Sequence, residues 1–224
     1  MAIPKVLYQT YKSYKAIPIE TRLVMRFERL RCLGWRYEFY DDERIAEFLK
    51  TEFGGEVFAA YDKLAIGAAM ADFFRYAVLY KYGGVYLDVD SEIRAGLDGL
   101  IRPDDVAIIA HEGNPDWYVQ WALVYGPGHP FLARTLDRII SNIEGDRFPN
   151  DVHALTGPRA YTEAMQECRA ADPGVAYREV EVDYGKYFGF KRRHSSVLYR
   201  KEPHWHDQLA QGVLKKRQSG TDGP

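Results

Sequence analysis

The sequence predicts an α/β domain with a Rossmann-like, mostly parallel central sheet flanked by helices. Three observations predict it. Segments with strand alternation and segments with helical spacing take turns along the chain, the pattern of βα units on a parallel sheet. A proline-free stretch with helical spacing, residues 61–82, runs through Gly83-Gly84 straight into an alternating segment at 85–90. Residues 106–110 form a continuous apolar run that ends in His111-Glu112-Gly113-Asn114, polar groups at a strand's end, where α/β folds place ligands. The 224 residues suit a single domain, expected over 1–210. Residues 211–224 read as a disordered tail, since Lys215-Lys216-Arg217 and the polar, Gly-containing end cannot bury much apolar surface.

Taken in order, residues 5–10 read as the first strand. Residues 20–33 read as a basic amphipathic helix, with Leu23, Phe27, Leu30 and Leu33 turned inward and Arg22, Arg26, Arg29 and Arg31 forming a solvated face. Residues 35–40 alternate as a second strand. Asp41 is placed to cap a helix at 43–50, and 52–55 form a turn. The helix at 61–82 carries the strong formers Leu64, Ala65, Ala68, Ala69, Ala71 and Leu79, and Gly83-Gly84 supplies the left-handed backbone that ends it. In the strand at 85–90, Val85, Leu87 and Val89 share one face, and Tyr86, Asp88 and Asp90 the other. Another strand at 119–125 is closed by Gly126-Pro127-Gly128. A helix follows at 130–143, with Phe131, Leu132, Leu136 and Ile139 or Ile140 inward. Pro158 stands near the first turn of a helix at about 158–170. Residues 175–182 alternate as a late strand, and the aromatic, Gly-interrupted stretch 184–190 reads as a loop.

The most informative segment is Asp88-Val89-Asp90. Strand alternation sends both carboxylates from one side of a strand end, with Cα atoms about 7 Å apart. Two hard anionic oxygens there suit Mg²⁺ or Mn²⁺, which takes one or two carboxylates plus phosphate oxygens. Two other uses of acidic pairs are excluded by neighbours. An EF-hand loop needs Gly at its sixth position, where Ile93 stands, and a haloacid-dehalogenase-type phosphatase needs Thr or Val where Glu92 stands. Asp72 and Arg75, three apart on the preceding helix, share a face. Taken alone they are an intrahelical ion pair, worth a few tenths of a kcal/mol.

The compound of Asp72-x-x-Arg75, Gly83-Gly84, an aromatic and then Asp88-x-Asp90 resembles the sugar-binding region of glycosyltransferase family 32. That family includes yeast initiating mannosyltransferases and bacterial capsular polysaccharide enzymes. Ile3-Pro4-Lys5-Val6-Leu7-Tyr8-Gln9-Thr10-Tyr11-Lys12 resembles the family's opening segment, with Tyr8 in place of its usual His and Tyr11 in place of its usual Trp. Gly126-Pro127-Gly128-His129-Pro130-Phe131 and Thr156-Gly157-Pro158 resemble two weaker segments, so the likeness runs from residue 3 to about 160. It implies the GT-A nucleotide-sugar-binding fold and a hexosyltransferase. The enzyme would move a hexose-type sugar from a UDP- or GDP-sugar to a glycan, glycoconjugate or other hydroxyl acceptor, with retention of configuration.

The resemblance also implies site residues. Asp88 and Asp90 would hold the metal, Mn²⁺ or Mg²⁺, with His204 or His206 completing the coordination. Asp72 and Arg75 would hold the donor sugar or orient its diphosphate, and act in catalysis with Asp88 and Asp90. Tyr8, Gln9 and Thr10 would contact base or ribose. Gly83 and Gly84 would let backbone approach the donor, although helix capping alone explains them, and Tyr86 shares the carboxylate face. His111, Glu112 and Asn114 could face the acceptor or the sugar. The rival readings are a nucleotide-sugar hydrolase or nucleotidyltransferase on a similar fold, and a non-catalytic carbohydrate-binding protein. The second rival leaves the Asp-x-x-Arg and Asp-x-Asp compound without a reason.

Composition narrows the partners. A net charge of −2 argues against a general nucleic-acid binder. Cys32 and Cys168 show no metal-ligand spacing and read as reduced thiols, which suits a cytoplasmic protein. No run approaches the roughly 20 apolar residues of a membrane span, which leaves peripheral association with a membrane as the remaining option.

Overall fold

The computed structural model describes residues 1–190 and 212–215. The chain forms β1 (Val6–Thr10), α1 (Ile19–Arg29), β2 (Arg36–Tyr40), α2 (Asp42–Phe53), α3 (Gly55–Asp62), α4 (Gly67–Tyr82), β3 (Gly84–Leu87), β4 (Glu92–Ile93) and β5 (Ala107–Ala110). It continues through β6 (Ala122–Tyr125), α5 (Pro130–Glu144), α6 (Val152–Leu155), α7 (Pro158–Ala171), β7 (Arg178–Val180) and β8 (Phe188–Gly189). Six strands make one sheet in the order β2-β1-β3-β6-β5-β7, and β4 pairs with β8 in a separate two-stranded sheet. Only β6 runs against the rest of the large sheet, because β1–β2, β1–β3 and β5–β7 pair in parallel while β3–β6 and β5–β6 pair antiparallel. The mostly parallel sheet expected from the sequence is thus present.

Its two faces are covered differently. Tyr8, Tyr86, Leu123 and Tyr125 pack under helices α2 to α7 in one core. Leu7, Val85, Leu87 and Val124 pack on the opposite face, against Cys32, Leu97, Leu100, Ile93, Tyr184 and Phe188, which come from short turns and the small sheet. Alternation along β1 and β3 produces this division, since neighbouring residues of a strand point to opposite faces. Local chemistry sets several boundaries. The Asp41 carboxylate accepts from the Arg44 N–H at 3.0 Å and caps α2. His129 caps α5, its Nδ1 accepting from the Phe131 N–H at 3.2 Å while Nε2 lies 2.9 Å from the Ala176 carbonyl. Gly83 ends α4 at φ +64°, its N–H donating to the Leu79 carbonyl.

Four expectations need correction. The helix expected over 61–82 is two helices. Between them Ala65 N–H donates to the Val213 carbonyl and Lys215 N–H to the Lys63 carbonyl, so residues 63–65 leave the helix to pair with the C-terminal segment. That segment was expected to be part of a disordered tail, yet Val213 is fully buried and Leu214 bridges Leu64. The strand expected to 90 stops at Leu87, and Ser91 N–H closes a turn on the Asp88 carbonyl at 3.0 Å. Finally, α1 turns its apolar side outward. Leu23, Phe27, Leu30 and Leu33 are exposed, and the face against the protein is Thr21, Met25 and Glu28. Helix α6 and the β4–β8 pair were not legible, and of α3 only the last two residues, 61 and 62, fell within an expected helix.

Candidate active site

The carboxyl edge of the sheet carries the candidate site. Strands β1, β3 and β5 all end there, since β6 is the only reversed strand. Asp88 directly follows β3, and its N–H donates to the Trp121 carbonyl, which extends the β3–β6 ladder by one bond. The register pairs Leu7 with Val85 and Tyr8 with Tyr86, so β1 and β3 run side by side towards this edge.

Helix α4 delivers the cation. Arg75 is 4% exposed, and its guanidinium is held at three points. Nε donates to the Ala71 carbonyl (3.3 Å), Nη1 to the Gln120 carbonyl (2.9 Å) and Nη2 to Asp88 Oδ1 (2.9 Å). The same Asp88 oxygen accepts from the Tyr86 hydroxyl at 2.8 Å, and the Tyr86 ring lies 4.7 Å from the guanidinium. Burial works against the charge on Arg75, but the Asp88 carboxylate with Tyr86 and Asp72 outweighs it and leaves the guanidinium firmly protonated. The Asp88 side chain is 26% exposed. Burial pushes its carboxyl up to about 7, against the pull of Arg75, and Asp90 adds to the rise. A carboxylate so placed favours a further positive charge.

Asp72 sits one layer deeper. Its Oδ1 accepts from Gln120 Nε2 at 2.6 Å and lies 3.3 Å from Arg75 Nη2, while its Oδ2 accepts from Thr156 Oγ1 at 2.9 Å. Gln120 Nε2 also donates to the Tyr76 hydroxyl at 2.9 Å. Both Asp72 oxygens are therefore engaged inside the protein, one of them beside the Arg75 guanidinium. Gln120 and Thr156 are site residues that sequence reasoning missed. A glutamine inside the apolar run Val119-Gln120-Trp121-Ala122 was the available signal, since a buried polar side chain needs a partner.

Other expected site residues are not brought together. Tyr8 is 1% exposed, packed in the core beside Tyr40, so its side chain does not present itself to a base. Gln9 is buried and accepts from the Tyr37 hydroxyl, and the Thr10 hydroxyl donates to the Tyr40 carbonyl. Gly84 lies at the other end of β3, about 13 Å from Asp88 at the strand rise, and Gly83 precedes it as the cap of α4. A Cβ on Gly83 would come within 2.6 Å of Pro127, and one on Gly84 within 2.7 Å of the Val6 carbonyl, so close packing by itself requires both glycines. Tyr86, by contrast, does stand with Asp88: it is fully buried and donates its hydroxyl to that carboxylate, on the face the two were expected to share. His204 and His206 lie outside the described residues.

His111, Glu112 and Asn114 do stand at the carboxyl end of β5. His111 stacks on Tyr118 and lies 3.4 Å from Glu179, while burial and the nearby Asp183 carboxylate push Glu112 up to about 7. A cavity of about 670 Å³ opens between residues 99–102 and 178–187. It is lined by neither Asp88 nor Arg75, and Arg178 in its wall is paired with Asp105. The cluster around Asp88 is therefore the better place for chemistry.

Among the described residues, no three His, Cys, Asp or Glu side chains gather to hold a metal. Asp88 and Asp90 remain as a two-carboxylate donor set at a partly open turn, which fits a hard divalent cation that draws its other ligands from phosphate and water. No helix of the described residues is long and apolar enough to cross a membrane.

Residues 10–107 match the family model of the glycosyltransferase sugar-binding region containing the DXD motif. An uncharacterized glycosyltransferase of Acanthamoeba polyphaga mimivirus is 41% identical over 104 residues, covering 44% of this chain and 40% of its own length. The initiation-specific alpha-1,6-mannosyltransferase of Schizosaccharomyces pombe is 27% identical over 193 residues, covering 74% and 48%. Inositol phosphoceramide mannosyltransferase 3 of the same yeast is 28% identical over 215 residues, covering 93% and 57%. The chain thus spans about half the length of these curated relatives. Among solved structures, the PaToxG glycosyltransferase superposes with a TM-score of 0.62 at 21% identity, covering 78% of this chain and 73% of that one, a likeness of fold. The matched region holds Asp72, Arg75, Asp88 and Asp90, and the family model, the mannosyltransferase relatives and the structural neighbour together support a glycosyltransferase with a DXD-containing sugar-binding region.

Proposed function

We propose that this chain transfers a hexose-type sugar from a nucleoside diphosphate sugar, UDP- or GDP-linked, to a hydroxyl of a glycan or glycolipid acceptor. The observation that carries this reading is the fixing of Asp88. Arg75 and Tyr86 converge on one of its oxygens at the carboxyl edge of a mostly parallel sheet, where such folds bind nucleotides. Asp88 and Asp90 would hold Mg²⁺ or Mn²⁺, which neutralises the charge that grows on the departing diphosphate. The residues do the rest. Arg75 fixes the Asp88 carboxylate and keeps a full positive charge at the edge of the site. Tyr86 holds the carboxylate's orientation. Asp72, Gln120 and Thr156 lock the Arg75 guanidinium, so positioning costs no reorganisation during the reaction. We further propose retention of anomeric configuration, with the leaving phosphate assisting front-side attack.

Two relatives are named as mannosyltransferases, so mannosyl donors belong in the test. The protein is incubated with UDP- and GDP-sugars, Mn²⁺ and hydroxyl acceptors, and the products are separated. Sugar transferred to acceptor supports the proposal. Sugar released to water alone points to a hydrolase, and donor binding without turnover points to a binding protein.

A further inference from the structure

Six of the ten large hydrophobic residues exposed among the described residues fall within residues 19–33. They are Ile19, Leu23, Val24, Phe27, Leu30 and Leu33, between 40% and 75% exposed. Ile19, Leu23, Phe27 and Leu30 follow helical spacing, so they form one contiguous stripe rather than scattered residues. Single exposed apolar residues are ordinary, but a clustered patch of this kind marks an interaction site. Arg22, Arg26 and Arg29 line one flank of the stripe, at the helical positions between it and the buried Thr21, Met25 and Glu28, and Arg31 follows in the next turn. Residues 12–36 hold seven basic and two acidic side chains, a net +5 on a chain whose total is −2. Apolar stripe and positive charge coincide on one short segment while the rest of the chain is acidic.

We infer that the outer face of α1 and the turn after it dock on an anionic lipid surface, the apolar stripe entering the headgroup boundary and the arginines pairing with lipid phosphates. This is the chemistry of an interfacial amphipathic helix. Charge selects this occupant. A second copy of the chain would set arginine flank against arginine flank in a two-fold interface, where like charges repel. A neutral protein groove would leave the net +5 uncompensated.

The docking has a geometric consequence for the site. The inner side of α1 packs through Met25 against Ile17 and Val89, the middle residue of Asp88-Val89-Asp90, and against β4. Docking therefore sets that turn about one helix diameter, on the order of 10 Å, from the lipid surface. A membrane-borne acceptor would lie within reach. That corollary rests on the proposed transfer reaction, whereas the docking itself does not.

The test uses the whole chain and flotation with vesicles of phosphatidylcholine, alone or mixed with phosphatidylglycerol, with no sugar donor present. Wild type is expected to float with the mixed vesicles, to stay behind with phosphatidylcholine alone, and to detach as salt rises. Phe27→Glu/Leu30→Glu should abolish flotation. Arg26→Gln/Arg31→Gln should weaken it about fivefold for each charge removed. Both double variants alter exposed residues and should keep the far-UV circular dichroism and melting temperature of wild type. Failure of wild type to float, equal binding to both vesicle types, or anionic binding untouched by both variants overturns the inference. A wild-type dimer in light scattering that Phe27→Glu/Leu30→Glu converts to monomer, with no vesicle binding, also overturns it and assigns the face to self-association. Because binding is read without donor, a failed transfer assay leaves this result standing, and the reverse holds too.

Discussion

Asp88 takes two hydrogen bonds on one oxygen, from Arg75 and Tyr86, and that arrangement sets what each substitution should do. Asp88→Asn keeps the shape but removes the charge that a cation and Arg75 both need. Transfer should fall by at least about a hundredfold, the scale seen when a preorganised electrostatic group is lost, while far-UV circular dichroism stays unchanged. Tyr86→Phe removes one hydrogen bond to a charged group, worth about 1.5–3 kcal/mol, so transfer should fall about tenfold or more with little change in fold. Arg75→Ala is a different case. It leaves the buried Asp72 carboxylate and the Gln120 carbonyl without their cation, and removing one partner of a buried pair costs about 3–5 kcal/mol. A lower melting temperature should accompany the loss of activity there, and its absence would show that Arg75 is not held as described. Glu112 gives a pH signature away from the Asp88–Asp90 turn. Its folded pKa, about 7, is raised above the ordinary carboxylate value, so the folded state binds the proton more tightly. The sign follows: the stabilising effect of protonation is full below the unfolded pKa and is lost as pH rises towards 7. Glu112→Gln should therefore raise the melting temperature at pH 8 and leave it near wild type at pH 4, by scanning calorimetry at both values.

At the scale of elements, two joints hold the sheet edge to the helices. The first is the α4–β3 corner. Gly84 has φ +117°, and an added Cβ would meet the Val6 carbonyl at 2.7 Å, so Gly84→Ala strains the backbone and pushes β1 from β3. A loss of about 2 kcal/mol or more is expected, a fall of roughly 4–8 °C for a domain this size. The second is the docking of residues 212–215 between α3 and α4, with Val213 fully buried and Lys215 paired to Asp62. Val213→Ala should cost about 2 kcal/mol from two lost methyl groups and the cavity they leave. Truncation after residue 211 should lower the melting temperature, whereas truncation after 215 spares this joint. Equal stability of the two truncated chains would show that the segment is not part of the folded unit.

For the whole molecule, ligand binding to the native state is the most direct readout. UDP or GDP with Mn²⁺ should raise the melting temperature, by about 2.7 kcal/mol of added stability when ligand stands at a hundredfold its dissociation constant. EDTA, or the Asp88→Asn/Asp90→Asn double variant, should remove the shift. A full shift in EDTA would mean that the nucleotide binds without a cation held by these carboxylates.

The sequence by itself determined the fold class and which side chains the central turn presents. Alternation in residues 5–10, 35–40 and 85–87, the glycines at 83 and 84, and the spacing of Asp72, Arg75, Asp88 and Asp90 are local signals, because strand period, helix capping and i,i+3 geometry act within a few residues. Tertiary structure decided the rest, and the reason is the same in each case. Periodicity marks an apolar face on residues 19–33 but carries no information on which side of the helix meets the protein, so the inward reading of Leu23 and Phe27 reversed. The break at residues 63–66 is made by hydrogen bonds to residues 213 and 215, about 150 positions away, which no local propensity records. Gln120 and Thr156 come to Asp72 from the segment just before β6 and the end of α6, across separations of 48 and 84 residues. Local sequence fixes which groups a segment presents; only the packing of distant segments settles which of them face solvent, which face each other, and which are left to hold a substrate.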